Sequence, residues 1–307
     1  MSPGGVDTRV TVGAVTLPTP VIAASGTFGY GLEFAGIVDL AAIGAICMKG
    51  LSLAPYAGKP PPRLVECPAG MLNAIGLQNI GVEEFLRDRL PALVRTGARV
   101  VANFWGDSPE EFAECAARLD GAPGLIALEL NAASPNRPEW GGIIASDPLA
   151  LSAVVREVRR RVRLPLWVKL SPNVSDITAV GRAVEAEGAD ALCAINTLRG
   201  LAVDLETRRP RLRSVTGGLS GPAIKPVALA MVYALASSVR VPVIGIGGIR
   251  TGEDALEFLC CGARAVQVGT ATFYDPRAPL EIAREMARWC AQHGLPAVTD
   301  LVGTLAP

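Results

Sequence analysis

Eight short apolar runs recur along the chain, and helical periods separate them. The runs are Val21–Ser25, Ile43–Lys49, Arg99–Phe104, Leu125–Asn131, Leu166–Leu170, Ala191–Asn196, Val243–Gly247 and Ala265–Gly269. Each is apolar on both faces, as a strand of a buried parallel sheet must be. The helical patterns cover Val82–Thr96, Pro109–Leu119, Pro148–Val162, Asp176–Glu187, Lys225–Ser238, Glu253–Cys260 and Leu280–His293. Ser108-Pro109 and Asp147-Pro148 are start signals, a cap followed by a proline in the first turn. Glu33–Leu40 is a weaker helical candidate between the first two strands. Eight strand–helix units predict an α/β fold, a single (β/α)8 TIM barrel over residues 1–307. An open doubly wound sheet is the rival, but it calls for an early GxGxxG turn that the chain lacks.

Segments around Gly13-Ala14, Thr8–Val12 and Val15–Leu17, read as an N-terminal hairpin covering the lower mouth of the barrel. Two connections, Gly50–Gly81 and Thr197–Gly221, are Pro/Gly-rich and longer than usual, as active-site loops tend to be. The run Arg208, Arg209, Arg211 and Arg213 reads as a solvated loop.

Charge and cysteine usage narrow the partners. With 29 basic and 29 acidic side chains the formal charge is zero, which supplies no field for nucleic acid or an anionic membrane. No stretch reaches the ~18 apolar residues that a spanning helix needs. Met1–Val6 lacks a basic start followed by an apolar run, so no signal peptide is expected. The seven cysteines are scattered, and no two are spaced Cys-x-x-Cys. That disfavours a disulfide framework, a zinc site or an iron–sulfur cluster, and points to a reducing cytoplasm.

In a barrel of this kind the chemistry gathers where the strands end. The polar residues there are Ser25, Lys49, Asn103, Asn131, Lys169 and Asn196, followed by Gly247-Gly248 and Gly269-Thr270. Only four lysines occur in the chain, and two of them, Lys49 and Lys169, fall at strand tips. A buried ammonium needs an anion or an acceptor to offset its desolvation. Glycines after the seventh and eighth strands leave backbone N–H groups open to a phosphate. The single histidine, His293, lies far from every strand tip, and no carboxylate pair converges there, since Glu129 falls within its strand. No metal is expected. A phosphate anchor, two lysines and several amides suit a flavin, whose ring edges take amide hydrogen bonds and whose reduced form takes a nearby cation. Ser134 stands on the loop after the fourth strand, in Asn131-Ala-Ala-Ser-Pro-Asn136, which runs on to Trp140-Gly141-Gly142. It reads as a turn residue or as a proton acceptor.

Longer motifs add a resemblance. Ala24-Ser-Gly-Thr-Phe-Gly-Tyr-Gly31, Gly70-Met-Leu-Asn-Ala-Ile-Gly-Leu-Gln-Asn79 and Val168-Lys-Leu-Ser-Pro-Asn-Val174 occur in order. Asn196-Thr-Leu-Arg-Gly200, Gly217-Gly-Leu-Ser-Gly-Pro-Ala-Ile-Lys-Pro226 and Ala265-Val-Gln-Val-Gly-Thr270 follow. From about Val10 to Pro276 the chain resembles the catalytic subunit of class 1, subtype B dihydroorotate dehydrogenases. The resemblance implies a barrel that binds FMN and oxidises dihydroorotate to orotate in pyrimidine synthesis. It implies flavin contacts at Ser25, Lys49, Gly50, Asn103, Asn131, Lys169, Ile195, Gly221, Gly247, Gly248, Gly269 and Thr270. It also implies substrate contacts at Lys49, Asn73, Ala74, Ile75, Gly76, Leu77, Asn131, Asn196 and Thr197. Partners implied in the same way are a second copy of the chain, as a homodimer core, and a subunit that carries FAD and a [2Fe–2S] cluster and passes electrons to NAD.

One position departs from the pattern. Where class 1 has Glu-Leu-Asn-Ile-Ser-Cys-Pro-Asn, this chain reads Glu129-Leu-Asn-Ala-Ala-Ser-Pro-Asn136. Ser134 therefore takes the place of the cysteine base, as in the membrane-associated class 2 enzymes, and is expected to be catalytic together with Lys169. An alcohol is a weaker base near neutral pH than a thiol of pKa ~8.5. Two other readings stay open at this point: a flavin dehydrogenase of another reduced pyrimidine, and a flavin-binding subunit with little turnover.

Overall fold

The computed structural model describes residues 5–134 and 143–306. Asn136 and Trp140-Gly141-Gly142 of the loop after the fourth strand lie outside the described residues, as do residues 1–4 of the N-terminal segment. Eight parallel strands close into a barrel: β1 (Val21–Ala23), β2 (Ala45–Cys47), β3 (Val100–Phe104), β4 (Leu125–Leu130), β5 (Leu166–Lys169), β6 (Ala191–Ala194), β7 (Val243–Ile246) and β8 (Ala263–Val268). They pair in chain order, and β8 closes on β1 through Gln267 opposite Ile22. Every residue of β1, β2, β3, β5, β6 and β7 is buried. This is the double-sided burial that the unbroken apolar runs require.

Helices cover the outside of the barrel. In Pro109–Leu119 the Ser108 hydroxyl accepts from Glu111 N at 3.3 Å, and Phe112, Cys115, Ala116 and Leu119 face inward. In Pro148–Arg159 and Ile177–Ala186 the caps are Asp147 and Asp176. The helix predicted over Val82–Thr96 is present but not uniform. It runs from Val82–Glu84 through a wide π turn at Phe85–Arg89 into Leu90–Arg95. Pro91 explains the turn, since its ring has no N–H to donate and would crowd the carbonyl four residues earlier. Glu33–Leu40 is not a helix. Two 3-10 turns, Leu32–Phe34 and Leu40–Ala42, stand at its ends. Gly36 lies between them, and the Asp39 carboxylate accepts from Ala41 N and so starts the second turn instead of continuing the first.

The N-terminal hairpin pairs Val10–Val12 with Val15–Leu17. Its turn approaches Asp190, the residue just before β6, which sets it at the N-terminal end of the barrel. The two long connections do not stay separate. Strands Leu64–Cys67 and Gly70–Asn73 of the first join Gly217–Ser220 and Leu198–Gly200 of the second in one antiparallel sheet over the opposite mouth. In that sheet Asn73 stands beside Gly218, and a Cβ on Gly218 would fall 2.1 Å from Thr197 Oγ1. The glycine therefore admits Thr197 to the space beneath the sheet. The arginines at 208, 209, 211 and 213 are exposed, as the sequence suggests.

Candidate active site

Beneath that sheet, at the C-terminal ends of all eight strands, lies a cavity of about 390 Å³. This is within the range of small-molecule sites. The tips of β1 to β4 bring Ser25, Lys49, Gly50, Asn103, Asn131 and Ser134 to its wall. The tips of β5 to β8 bring Lys169, Ile195, Asn196, Thr197, Gly247, Gly248, Gly269 and Thr270. The covering sheet and its turns add Asn73, Ile75, Gly76, Leu77 and Gly221. Ala74 does not line the cavity. Its side chain is buried with Leu72 and Leu212 in a small apolar cluster on the face of the sheet away from the cavity.

The amides form a continuous ladder. Asn103 Nδ2 donates to Glu129 Oε1 at 2.6 Å, Asn131 Nδ2 reaches Asn103 Oδ1 at 3.4 Å, and Asn196 Nδ2 reaches Asn131 Oδ1 at 3.4 Å. Asn196 Oδ1 in turn accepts from Thr197 N at 2.7 Å. An amide carries both donors and acceptors, so such a ladder can match the alternating edges of a pyrimidine or a flavin ring. Across the cavity, Asn73 Nδ2 donates to Gly218 O at 3.2 Å.

Charge is distributed unevenly. Lys169 is 5% exposed, and its ammonium stands 3.5 Å from Glu129 Oε1 and 3.2 Å from Ser25 Oγ. Burial works to lower the Lys169 pKa, but Glu129 outweighs it and holds the group above the ordinary lysine value. The same balance holds in reverse for Glu129. Burial would raise its carboxyl, yet Lys169 and the amides of Gln267 and Asn103 keep it below the usual range. Lys49 is different. It is half-buried with no ion-pair partner among the described residues, and burial, then nearby Arg63, lowers its pKa. Lys49 and Arg63 therefore leave one end of the cavity cationic, as a carboxylate ligand requires.

Three features of the site escape inspection of the strand tips. Glu129 sits two residues before Asn131, which puts it on the same face of β4 one layer deeper; period-two alternation was the available signal. Arg63 lies in the first excursion, behind Pro60, Pro61 and Pro62, and only the folding of that loop over the mouth brings it in. At the rim, Arg250 stacks over Tyr274 with Cζ 5.9 Å from the ring centroid, beside a half-exposed Phe273. Among the described residues no group of three His, Cys, Asp or Glu side chains is placed to hold a metal ion, and no helix is long and apolar enough to cross a membrane.

The β7 and β8 ends form a glycine cradle. Gly248 has φ +77°, and a Cβ there would meet Lys225 Cβ at 2.8 Å and Lys225 N at 2.9 Å. Lys225 opens the helix Lys225–Ala236, and its ammonium is turned away to Asp254 and Glu257 at 2.6 and 2.8 Å. The end of the cavity beside this helix N-terminus is thus lined by backbone, with the geometry of an anion site.

Comparison with known proteins gives the family. The family model described as dihydroorotate dehydrogenase matches residues 8–289. A relative from Geobacter sp. (strain M21), named dihydroorotate dehydrogenase B (NAD(+)), catalytic subunit, is 53% identical over 299 residues, 97% of this chain and 98% of its own length. One of the same name from Trichlorobacter lovleyi is 54% identical over 296 residues, 96% of this chain and 97% of its own. A third, from Solibacter usitatus, is 52% identical over 295 residues, 96% of this chain and 97% of its own; it carries dihydroorotate dehydrogenase A (fumarate) as a provisional name. A family match over most of the chain, and relatives more than half identical along nearly their whole length, establish that this chain belongs to the dihydroorotate dehydrogenase family of oxidoreductases.

Proposed function

We propose that this chain binds FMN and oxidises dihydroorotate to orotate, the pyrimidine-forming step. The observation that carries the proposal is the joint placement of the amide ladder, the buried Lys169 ammonium and the glycine cradle around one cavity. These residues fit a flavin mononucleotide. The backbone at Gly221, Gly247, Gly248, Gly269 and Thr270 offers N–H groups to a phosphate, and Gly248 lies too close to the start of the helix Lys225–Ala236 to carry a side chain. Ser25, Gly50, Asn103, Asn131, Lys169 and Ile195 line the part of the cavity left for the ring.

FMN, once bound, would supply the hydride acceptor for oxidation of the substrate. The remaining work falls to the chain. Asn73, Asn131, Asn196 and Thr197 orient the pyrimidine edge, with the Ile75-Gly76-Leu77 turn beside them. Lys49 and Arg63 hold the carboxylate end. Ser134, 5% exposed on the cavity wall, takes the C5 proton as its own hydroxyl proton passes on to water or a neighbouring acceptor. Lys169 offers its ammonium where negative charge develops. The antiparallel sheet over the mouth excludes water.

Anaerobic addition of dihydroorotate to the flavin-loaded protein should bleach the flavin absorbance. A bound flavin that dihydroorotate leaves yellow would end the substrate assignment. Gly248→Val should lower flavin content about tenfold or more, since it adds a strained left-handed residue costing about 1–3 kcal/mol as well as a clash. The measurement is the flavin-to-protein ratio after purification, with far-UV circular dichroism as the check on folding.

We further propose that the reduced chain passes its electrons to NAD through a partner subunit carrying FAD and a [2Fe–2S] cluster, on a homodimer core of this chain. The names of the Geobacter and Trichlorobacter relatives support that acceptor, and the name of the Solibacter relative raises fumarate as the alternative. Mixing the reduced chain alone with each acceptor separates them, because direct reoxidation by fumarate would remove the need for a partner.

A further inference from the structure

Below the cavity floor, Glu129 is a fully buried carboxylate that the proposed chemistry does not use and that does not itself line the cavity. We propose that Glu129 is a positioning residue, which holds Lys169 in place as an ammonium at the cavity wall and thereby sets how many protons accompany reduction of the flavin. The inference rests on the FMN reading given above.

The geometry is that of a saturated carboxylate. Oε1 accepts from Asn103 Nδ2 at 2.6 Å and from Ser25 Oγ at 3.3 Å, and lies 3.5 Å from Lys169 Nζ. Oε2 accepts from Gln267 Nε2 at 2.5 Å. These partners come from β3, β5, β8 and, two residues past the end of β1, Ser25, so four sides of the barrel fix the group. Neutral donors solvate the anion without cancelling its charge. Glu129 is then the one carboxylate that Lys169 meets among the described residues. Two other titratable groups face the pair, Cys47 on β2 and Cys193 on β6. Burial drives both thiols well above their ordinary value, so they stay neutral and cannot replace the carboxylate. The other partner of Lys169, Ser25 Oγ at 3.2 Å, is also neutral.

Because the pair is net neutral, its value to the site is not a broad positive field. Its value is a proton already in place on Lys169 before negative charge develops on the ligand. Without Glu129 an ammonium this deeply buried would lose its proton, since desolvation depresses a lysine pKa by several units. Reduction of the flavin by two electrons and one proton would then draw a second proton from solvent to convert the Lys169 amine back to ammonium. With Glu129 present, Lys169 keeps its proton in both oxidation states and only the flavin's own proton is taken up.

The test counts protons taken up per flavin during anaerobic reduction of the FMN-loaded protein by an artificial two-electron reductant, so the dihydroorotate assignment plays no part. Midpoint potential against pH gives the same count independently. Between about pH 6.5 and 8.5, below the ordinary lysine pKa, wild type should take up one proton per two electrons and Glu129→Gln two. In a Lys169→Met background the exchange of Glu129 for Gln should change the count no further, because the effect passes through Lys169. One proton in both wild type and Glu129→Gln would overturn the proposal, as would a count of two in wild type, which decides the matter even if the variant does not fold. Failure of wild type to bind FMN at all would instead defeat the cofactor reading.

Discussion

Lys169→Met is expected to slow anaerobic reduction of the bound flavin by dihydroorotate about 10²–10³-fold, the usual loss when one preorganised charge-stabilising donor is removed from a dry site. Lys169 is 5% exposed and held from two sides, by Glu129 and by Ser25, so it pays no reorganisation when charge develops. Methionine has similar length and no charge, so the loss should fall on the rate of reduction, with little change in substrate affinity. The variant also leaves Glu129 buried beside an apolar side chain. Leaving a buried charge unpaired costs about 3–5 kcal/mol, so the carboxyl should take up a proton instead. Stopped-flow absorbance at the flavin band gives the rate, and denaturant unfolding gives the stability. A rate equal to wild type would remove Lys169 from the chemistry.

Ser134→Ala should lower the same rate about 10²–10⁴-fold, the span typical of a lost general base. Ser134→Cys separates a base from a turn residue. A thiol with pKa near ~8.5 becomes a competent base as pH rises toward that value. The cysteine variant should therefore gain activity between neutral and mildly alkaline pH and level off above the thiol pKa. The serine enzyme has no side-chain ionisation of its own in that interval. Equal and negligible turnover in serine, cysteine and alanine forms, with flavin and substrate still bound, would favour a flavin-binding subunit without catalysis. Equal and substantial turnover would move the base elsewhere.

The strand tips were legible because burial on both faces leaves a plain mark in composition. Ser25, Lys49, Asn103, Asn131, Lys169 and Asn196 each interrupt or end an apolar run, and all six line one cavity. Glu129 was less legible. Inside a strand a single acid looks like an interruption, and its meaning depends on Lys169, Asn103 and Gln267 from three other strands. Arg63 and the antiparallel sheet were hidden for another reason. Leu64–Cys67 has alternating, half-exposed residues and pairs with a segment that pairs in turn with Gly217–Ser220. Contacts between loops so far apart in the chain leave no local periodicity to find. The wide turn before Pro91 and the break at Gly36 are local effects, and their residues could have signalled both.

Local composition thus determined which segments become strands and helices, that the strands must be buried on both faces, and which polar residues stand at their ends. Only closure of the barrel decided which of those residues meet. Hydrogen bonds and ion pairs act over a few ångströms, and here their partners lie as far apart in the chain as Glu129 and Gln267. The charge state of the centre, with Lys169 paired and Lys49 without an ion-pair partner among the described residues, is likewise a property of tertiary structure, because desolvation and counter-charge exist only once the strands have come together.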